Sequence, residues 1–150
     1  MEDNYILYNK FRVYFGPSPN SNNLNIFLDK LKKYNINMIV RLCEPSYSLP
    51  PDMIQIQDIP ITSCTPSNEV IRQWNDILDS INGNIYIHCE SGLGRAPTMI
   101  AIALLQKEVE PHNTIQILRK INKNLFNNIQ LKFIFNYSIK RKSFFECLSK

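Results

Sequence analysis

The chain of 150 residues has no apolar run of the roughly 18 or more residues that a membrane-spanning helix needs. Its opening residues, Met1-Glu2-Asp3-Asn4, are acidic and carry neither the basic nor the apolar region of a secretory signal. A cytoplasmic location is therefore expected. Four cysteines (Cys43, Cys64, Cys89 and Cys147) are too few and too scattered for a disulfide scaffold or a zinc site. No metal and no cofactor is expected, because no convincing ligand spacing occurs. The formal charge of +4 is spread along the chain, and without a dense basic tract nucleic acid is not an expected partner. Repeats, low-complexity linkers and composition breaks are missing too, which implies one domain over residues 1–150 with a short tail.

What is present alternates between two periodicities. Short strands are expected at Tyr5–Tyr8 and Arg12–Phe15, before a Gly16-Pro17-Ser18-Pro19 break. Leu24, Phe27, Leu28 and Leu31 recur at helical spacing between Asn23 and Tyr34. Asn37–Leu42 reads as a buried strand and Met53–Ile56 as another. A second helix opens at Pro66-Ser67 and stops at Asn82-Gly83, with a face of Val70, Trp74, Ile77, Leu78 and Ile81. Ile85–Ile87 is a short apolar strand. Helices are expected over Ala96–Lys107, Pro111–Ile121 and Asn128–Lys142. The alternation predicts an α/β sandwich with a mainly parallel, mixed central sheet flanked by helices. Ligands of such sheets sit at the carboxyl ends of strands, where His88–Arg95 falls.

That segment reads His88-Cys89-Glu90-Ser91-Gly92-Leu93-Gly94-Arg95-Ala96-Pro97. A strand ending at His88 and a helix starting near Ala96 leave a loop of about one phosphate's circumference, whose amides can point inward as an anion nest. The helix adds its positive end, and Gly92 and Gly94 permit backbone angles that a Cβ forbids. Arg95 can offer two parallel donors to a phosphate, which an ammonium cannot. In so electropositive a loop Cys89 is expected as the thiolate nucleophile, attacking phosphorus to give a phosphocysteine that water hydrolyses. Glu90, Ser91, Gly92, Leu93, Gly94 and Arg95 form the phosphate-binding stretch. His88 is expected to orient the loop without shuttling protons. Taken singly, Cys89 reads as buried filler and His88 as a core histidine; their combined spacing is what carries the assignment.

Cys-x5-Arg after a His resembles the signature of the protein tyrosine phosphatase superfamily, including its dual-specificity members. Gly92–Pro97 (Gly-Leu-Gly-Arg-Ala-Pro) resembles the phosphatase of regenerating liver family. Asn23–Tyr34 looks like that family's first helix, and Ile39–Glu44 like its following strand and turn. Asp58-Ile59-Pro60 and Pro66-Ser67-Asn68 look like the segment bearing its general acid. The resemblance spans roughly Phe11 to Tyr137. It implies a phosphatase-type sandwich and protein tyrosine or dual-specificity phosphatase activity on phosphoproteins. It also implies a redox role for Cys43, which occupies the position of a second cysteine able to pair with the nucleophile.

Two departures imply slow turnover. The family's acid Asp falls at Thr62 or Ser63, and no carboxylate lies between Pro60 and Pro66. Asp58 is a weak substitute candidate. Ala96 stands where most tyrosine phosphatases carry a Ser or Thr that helps the sulfur leave. The alternative reading is a pseudophosphatase whose pocket engages a partner protein, since family members bind metal-transport proteins through this face. Glu90, Ser91 and Leu93 add no extra cation, which favours phosphoprotein over polyanionic substrates. Cys147 stands at the place of a prenylated cysteine, but Ser149 and Lys150 make a poor box, so prenylation is not expected. Lys140, Arg141 and Lys142 leave at most weak membrane contact.

Overall fold

The computed structural model describes residues 4–50 and 52–148, with side chains described through residue 142. Five strands and five helices follow in the order β1 (Tyr5–Tyr8), β2 (Phe11–Pro17), α1 (Leu24–Lys33), β3 (Ile36–Arg41), β4 (Gln55–Asp58), α2 (Asn68–Asp79), β5 (Asn84–Cys89), α3 (Arg95–Gln106), α4 (Pro111–Ile121) and α5 (Asn128–Leu148). The sheet order is β1-β2-β5-β3-β4, with β1 antiparallel to β2 and every other neighbour parallel. This is the mixed, mainly parallel α/β sandwich expected from the sequence.

Strand periodicity divides the interior into two layers. Val13, Phe15, Val40, Ile85, Ile87 and Cys89 belong to the large core shared with α2 to α5. Their neighbours Tyr14, Ile39 and Tyr86 face the other way, against Phe27 and Leu31 of α1. α3 lies inside the larger layer: Met99 to Ala103 are all 0% exposed, and the buried Trp74 indole donates to Met99 O at 2.9 Å. A helix apolar on every side must be enclosed. That enclosure fixes its first turn, and hence Arg95, relative to β5.

Several boundaries differ from the sequence expectation, β5 running on to Cys89 and α2 ending at Asp79 among them. β4 begins at Gln55, because Met53 N–H turns back to Pro50 O (3.1 Å) while Arg41 of β3 registers against Asp58. β2 continues through Gly16 and Pro17, which pair with His88 and Cys89. Gly16 is admitted there since a Cβ would meet the Tyr86 hydroxyl at 2.4 Å. α5 extends beyond Lys142 to Leu148. The side chain of Cys147, and Ser149 and Lys150, lie outside the described residues. Among those described, no helix is long and apolar enough to cross a membrane.

Candidate active site

β5 is the middle strand, buried from Ile85 to Cys89, and its alternation sends consecutive side chains to opposite layers. Cys89 faces α3 and is 1% exposed; His88 faces α1 and is 0% exposed. Both flanking strands grip this end: Leu42 N–H donates to His88 O (3.0 Å) and Ser18 N–H to Glu90 O (3.3 Å).

The loop then folds back over the sulfur. Gly92 N–H donates to Cys89 Sγ at 3.2 Å. Gly92 has φ +77°, and a Cβ there would lie 2.5 Å from Gly16 C and 2.6 Å from Pro17 N. Only glycine fits this position. Leu93 N–H donates to Ser91 Oγ (3.2 Å), and Thr98 Oγ1, one turn into α3, donates to Gly94 O (2.7 Å). Arg95 opens α3; its Nη1 donates to Ile61 O at 3.0 Å and its Nη2 lies 3.8 Å from Glu90 Oε2. The Glu90 side chain is otherwise open to solvent.

Behind the loop, His88 Nε2 and the Tyr47 hydroxyl are hydrogen-bonded at 2.7 Å, and Cys43 Sγ lies 3.9 Å from Nδ1. Burial pushes the imidazole down to about 4, against a raising backbone hydrogen bond at Cys89. It is neutral near pH 7, suited to holding the strand end and not to carrying a proton. Burial pushes the Cys43 thiol up, with the nearby Arg95 charge opposing.

Asp58 is committed elsewhere. Arg41 grips its carboxylate twice, at 2.6 and 2.9 Å, and donates through Nη1 to Tyr47 O at 3.0 Å. The Arg41 hydrogen bonds lower the Asp58 pKa, so the carboxylate is an ion-pair partner with no proton to give. The weak general-acid candidate is thus better explained as the lock between β3 and β4.

The segment after β4 lies over the loop even without a carboxylate. Ile59 N–H donates to Arg41 O (3.1 Å) and Ile61 N–H to Leu42 O (2.9 Å). Thr62–Cys64, Ser91, Leu93–Arg95, Asn124, Phe126, Asn127 and Gln130 line an open cleft of about 520 Å³. The α4–α5 connection completes it: Phe126, at φ +72°, donates its N–H to Leu93 O at 2.9 Å. The basic run Lys140–Lys142 within α5 is partly occupied within the chain, since Lys142 pairs with Glu110 (3.0 Å) and Arg141 donates to Gln106 O (3.0 Å).

The structure brings together Cys89, the loop residues, Arg95, His88 and Cys43. Tyr47, Arg41 and Gln130 escaped the sequence reading. Gln130 had a visible signal, since Asn127-x-x-Gln130 before an apolar helix is a capping-box spacing. Tyr47 had none.

Residues 18–108 match the family model for the DSP-PTPase phosphatase of polymorphic toxin systems. A Dictyostelium discoideum relative named "Probable protein tyrosine phosphatase type IVA A" is 37% identical over 136 residues, spanning 84% of this chain and 81% of its own. The Bos taurus protein tyrosine phosphatase type IVA 3 is 30% identical, over 91% of this chain and 84% of its own. Among solved structures, a Leishmania major chain of the protein tyrosine phosphatase kind superposes with a TM-score of 0.77 at 24% identity, covering 90% of this chain and 98% of its own. With the loop, sheet and sequence likeness in agreement, the chain belongs to the dual-specificity branch of the protein tyrosine phosphatases, in the type IVA, or phosphatase of regenerating liver, family.

Proposed function

We propose that this protein hydrolyses phosphoprotein monoesters through a phosphocysteine on Cys89, with slow turnover. The observation that carries the reading is the Cys89 sulfur held under the Gly92 N–H at 3.2 Å, with Arg95 opening the helix at the far end of the same loop. In the first step Sγ forms a bond to phosphorus and the ester oxygen leaves with its electron pair. Arg95 exchanges its contact with Ile61 O for phosphate oxygens, and loop amides take the remaining charge. Water then attacks phosphorus, releasing phosphate and the thiolate.

Both steps lack their usual help. Pro60 to Pro66 holds no carboxylate and Asp58 is paired with Arg41, so the leaving oxygen departs without a side-chain proton. Ala96 offers the departing sulfur no hydroxyl. The expected substrates are esters with good leaving groups, aryl before alkyl. Mixing enzyme with an aryl phosphate is expected to give a burst of one equivalent, absent in Cys89→Ser. No burst from the native protein would transfer the weight to the second reading, a pocket that binds a partner protein, which the missing carboxylate favours.

A redox role for Cys43 belongs to the same proposal. Hydrogen peroxide takes two electrons from the Cys43 and Cys89 thiols, leaving one disulfide and two waters. Mass spectrometry after peroxide is expected to find that bridge; a Cys89 sulfinate with Cys43 unmodified would reject it.

A further inference from the structure

We infer that Gln130 is a positioning residue that fixes residues 61–65 as a static wall over Arg95 and so sets the affinity of the cleft for a tetrahedral oxyanion. The inference rests on the oxyanion-binding reading of that site. It begins with one buried amide whose two ends do different work.

Gln130 is 3% exposed, so each polar atom of its side chain needs a partner. Its Oε1 accepts from Asn127 N–H at 3.0 Å, while Asn127 Oδ1 accepts from Gln130 N–H at 2.8 Å. This reciprocal pair caps α5, a task that Glu performs as well as Gln. The other end has no part in capping. Nε2 donates to Cys64 O, 66 residues away in sequence, at 3.0 Å. A glutamate has no such donor.

The same amide presses on the phosphate loop. A Cβ at Gly94 would come within 2.5 Å of Gln130 Nε2, so a side chain at 94 would displace it. Gly94 therefore serves close approach: it lets the tether lie against the residue that precedes Arg95. The wall is held at both ends, Ile61 by its own N–H to Leu42 O and Cys64 by Gln130, and both ties remain when Arg95 leaves Ile61 O for an oxyanion. Having no carboxylate to deliver, this segment has no need to swing. Its remaining task is to set the height of the cleft above the guanidinium.

Gln130→Met removes the tether without adding charge, but it also weakens the cap. Ile134→Val, one turn further along α5 at a fully buried site, serves as a control that destabilises the same helix with the tether intact. Calorimetric titration with tungstate and amide hydrogen exchange at residues 61–65 are read on all three proteins. Gln130→Met is expected to bind tungstate about tenfold more weakly and to exchange faster at 61–65. Ile134→Val is expected to lower Tm and change neither. Equal tungstate affinity in Gln130→Met, an equal loss in Ile134→Val, or no tungstate binding by the unaltered protein would each overturn the inference. Neither readout needs turnover. A missing burst alongside a tungstate effect would defeat the enzymatic reading and leave the tether standing.

Discussion

Two loops meet at the mouth of the cleft, and they have diverged in opposite ways. The loop after β5 keeps every part the proposed chemistry needs: Cys89 beneath Gly92 N–H, Gly92 where a Cβ would strike the Gly16–Pro17 backbone, and Arg95 at the head of an enclosed helix. The segment after β4 keeps its place but not its reagent, with Ile61 and Cys64 both anchored and neither Thr62 nor Ser63 a competent acid. Scaffold and reagent are therefore separable. Backbone carbonyls hold the wall, and backbone is indifferent to which side chain stands at 62 or 63.

The largest break expected in this comparison comes from the loop that kept its parts. Arg95→Lys should lower kcat/KM on an aryl phosphate about 1,000-fold, since an ammonium cannot offer two parallel donors to the developing charge. Steady-state rates within tenfold of native would show that the guanidinium clamps nothing. Restoring the lost reagent should sharpen the contrast. Thr62→Asp or Ser63→Asp is expected to raise turnover about 100-fold on alkyl phosphates and little on nitrophenyl esters. If neither variant discriminates between leaving groups, the wall is too far from the leaving oxygen.

A third test uses acid. The His88 pKa is pushed down to about 4 by burial, against 6.5 for an ordinary imidazole. Above pH 6.5 both folded and unfolded forms are neutral and the group leaves stability unchanged. Below it the unfolded chain binds the proton first, so stability falls towards pH 4, by about 3 kcal/mol in all. Acidification also costs the folded state through Asp58, whose lowered pKa marks it as a paired carboxylate. Urea denaturation from pH 7 to pH 4 measures the sum; His88→Asn should flatten the part of the slope between pH 6.5 and 4. The smallest effect is expected from Tyr47→Phe, which removes the 2.7 Å partner of His88 and should cost about 1 kcal/mol. A loss far above that would mean that Tyr47 also governs the loop.

How much of this was legible in advance depends on how local each feature is. The strand–His-Cys–loop–Arg–helix segment is contiguous, so its composition and spacing displayed the site. The helices of α1, α2 and α4 were legible for the same reason, being written in the spacing of apolar residues along one segment. β4 was misplaced by two residues because its register is set by Arg41 gripping Asp58, seventeen positions away, and not by its own pattern. The fate of Asp58 was hidden for the same reason.

Sequence by itself pointed to Cys89 as candidate nucleophile, to Arg95, to Gly92 and Gly94 as the loop's glycines, and to the family. All are properties of residues adjacent in the chain, where covalent geometry limits the outcomes. Tertiary structure alone decided that His88 turns away from Cys89 to meet Tyr47, that Asp58 is bound to Arg41, and that Gln130 reaches Cys64 across the cleft. Each of these is a hydrogen bond between residues from 17 to 66 positions apart, chosen by which buried polar atoms the packed sheet leaves facing one another.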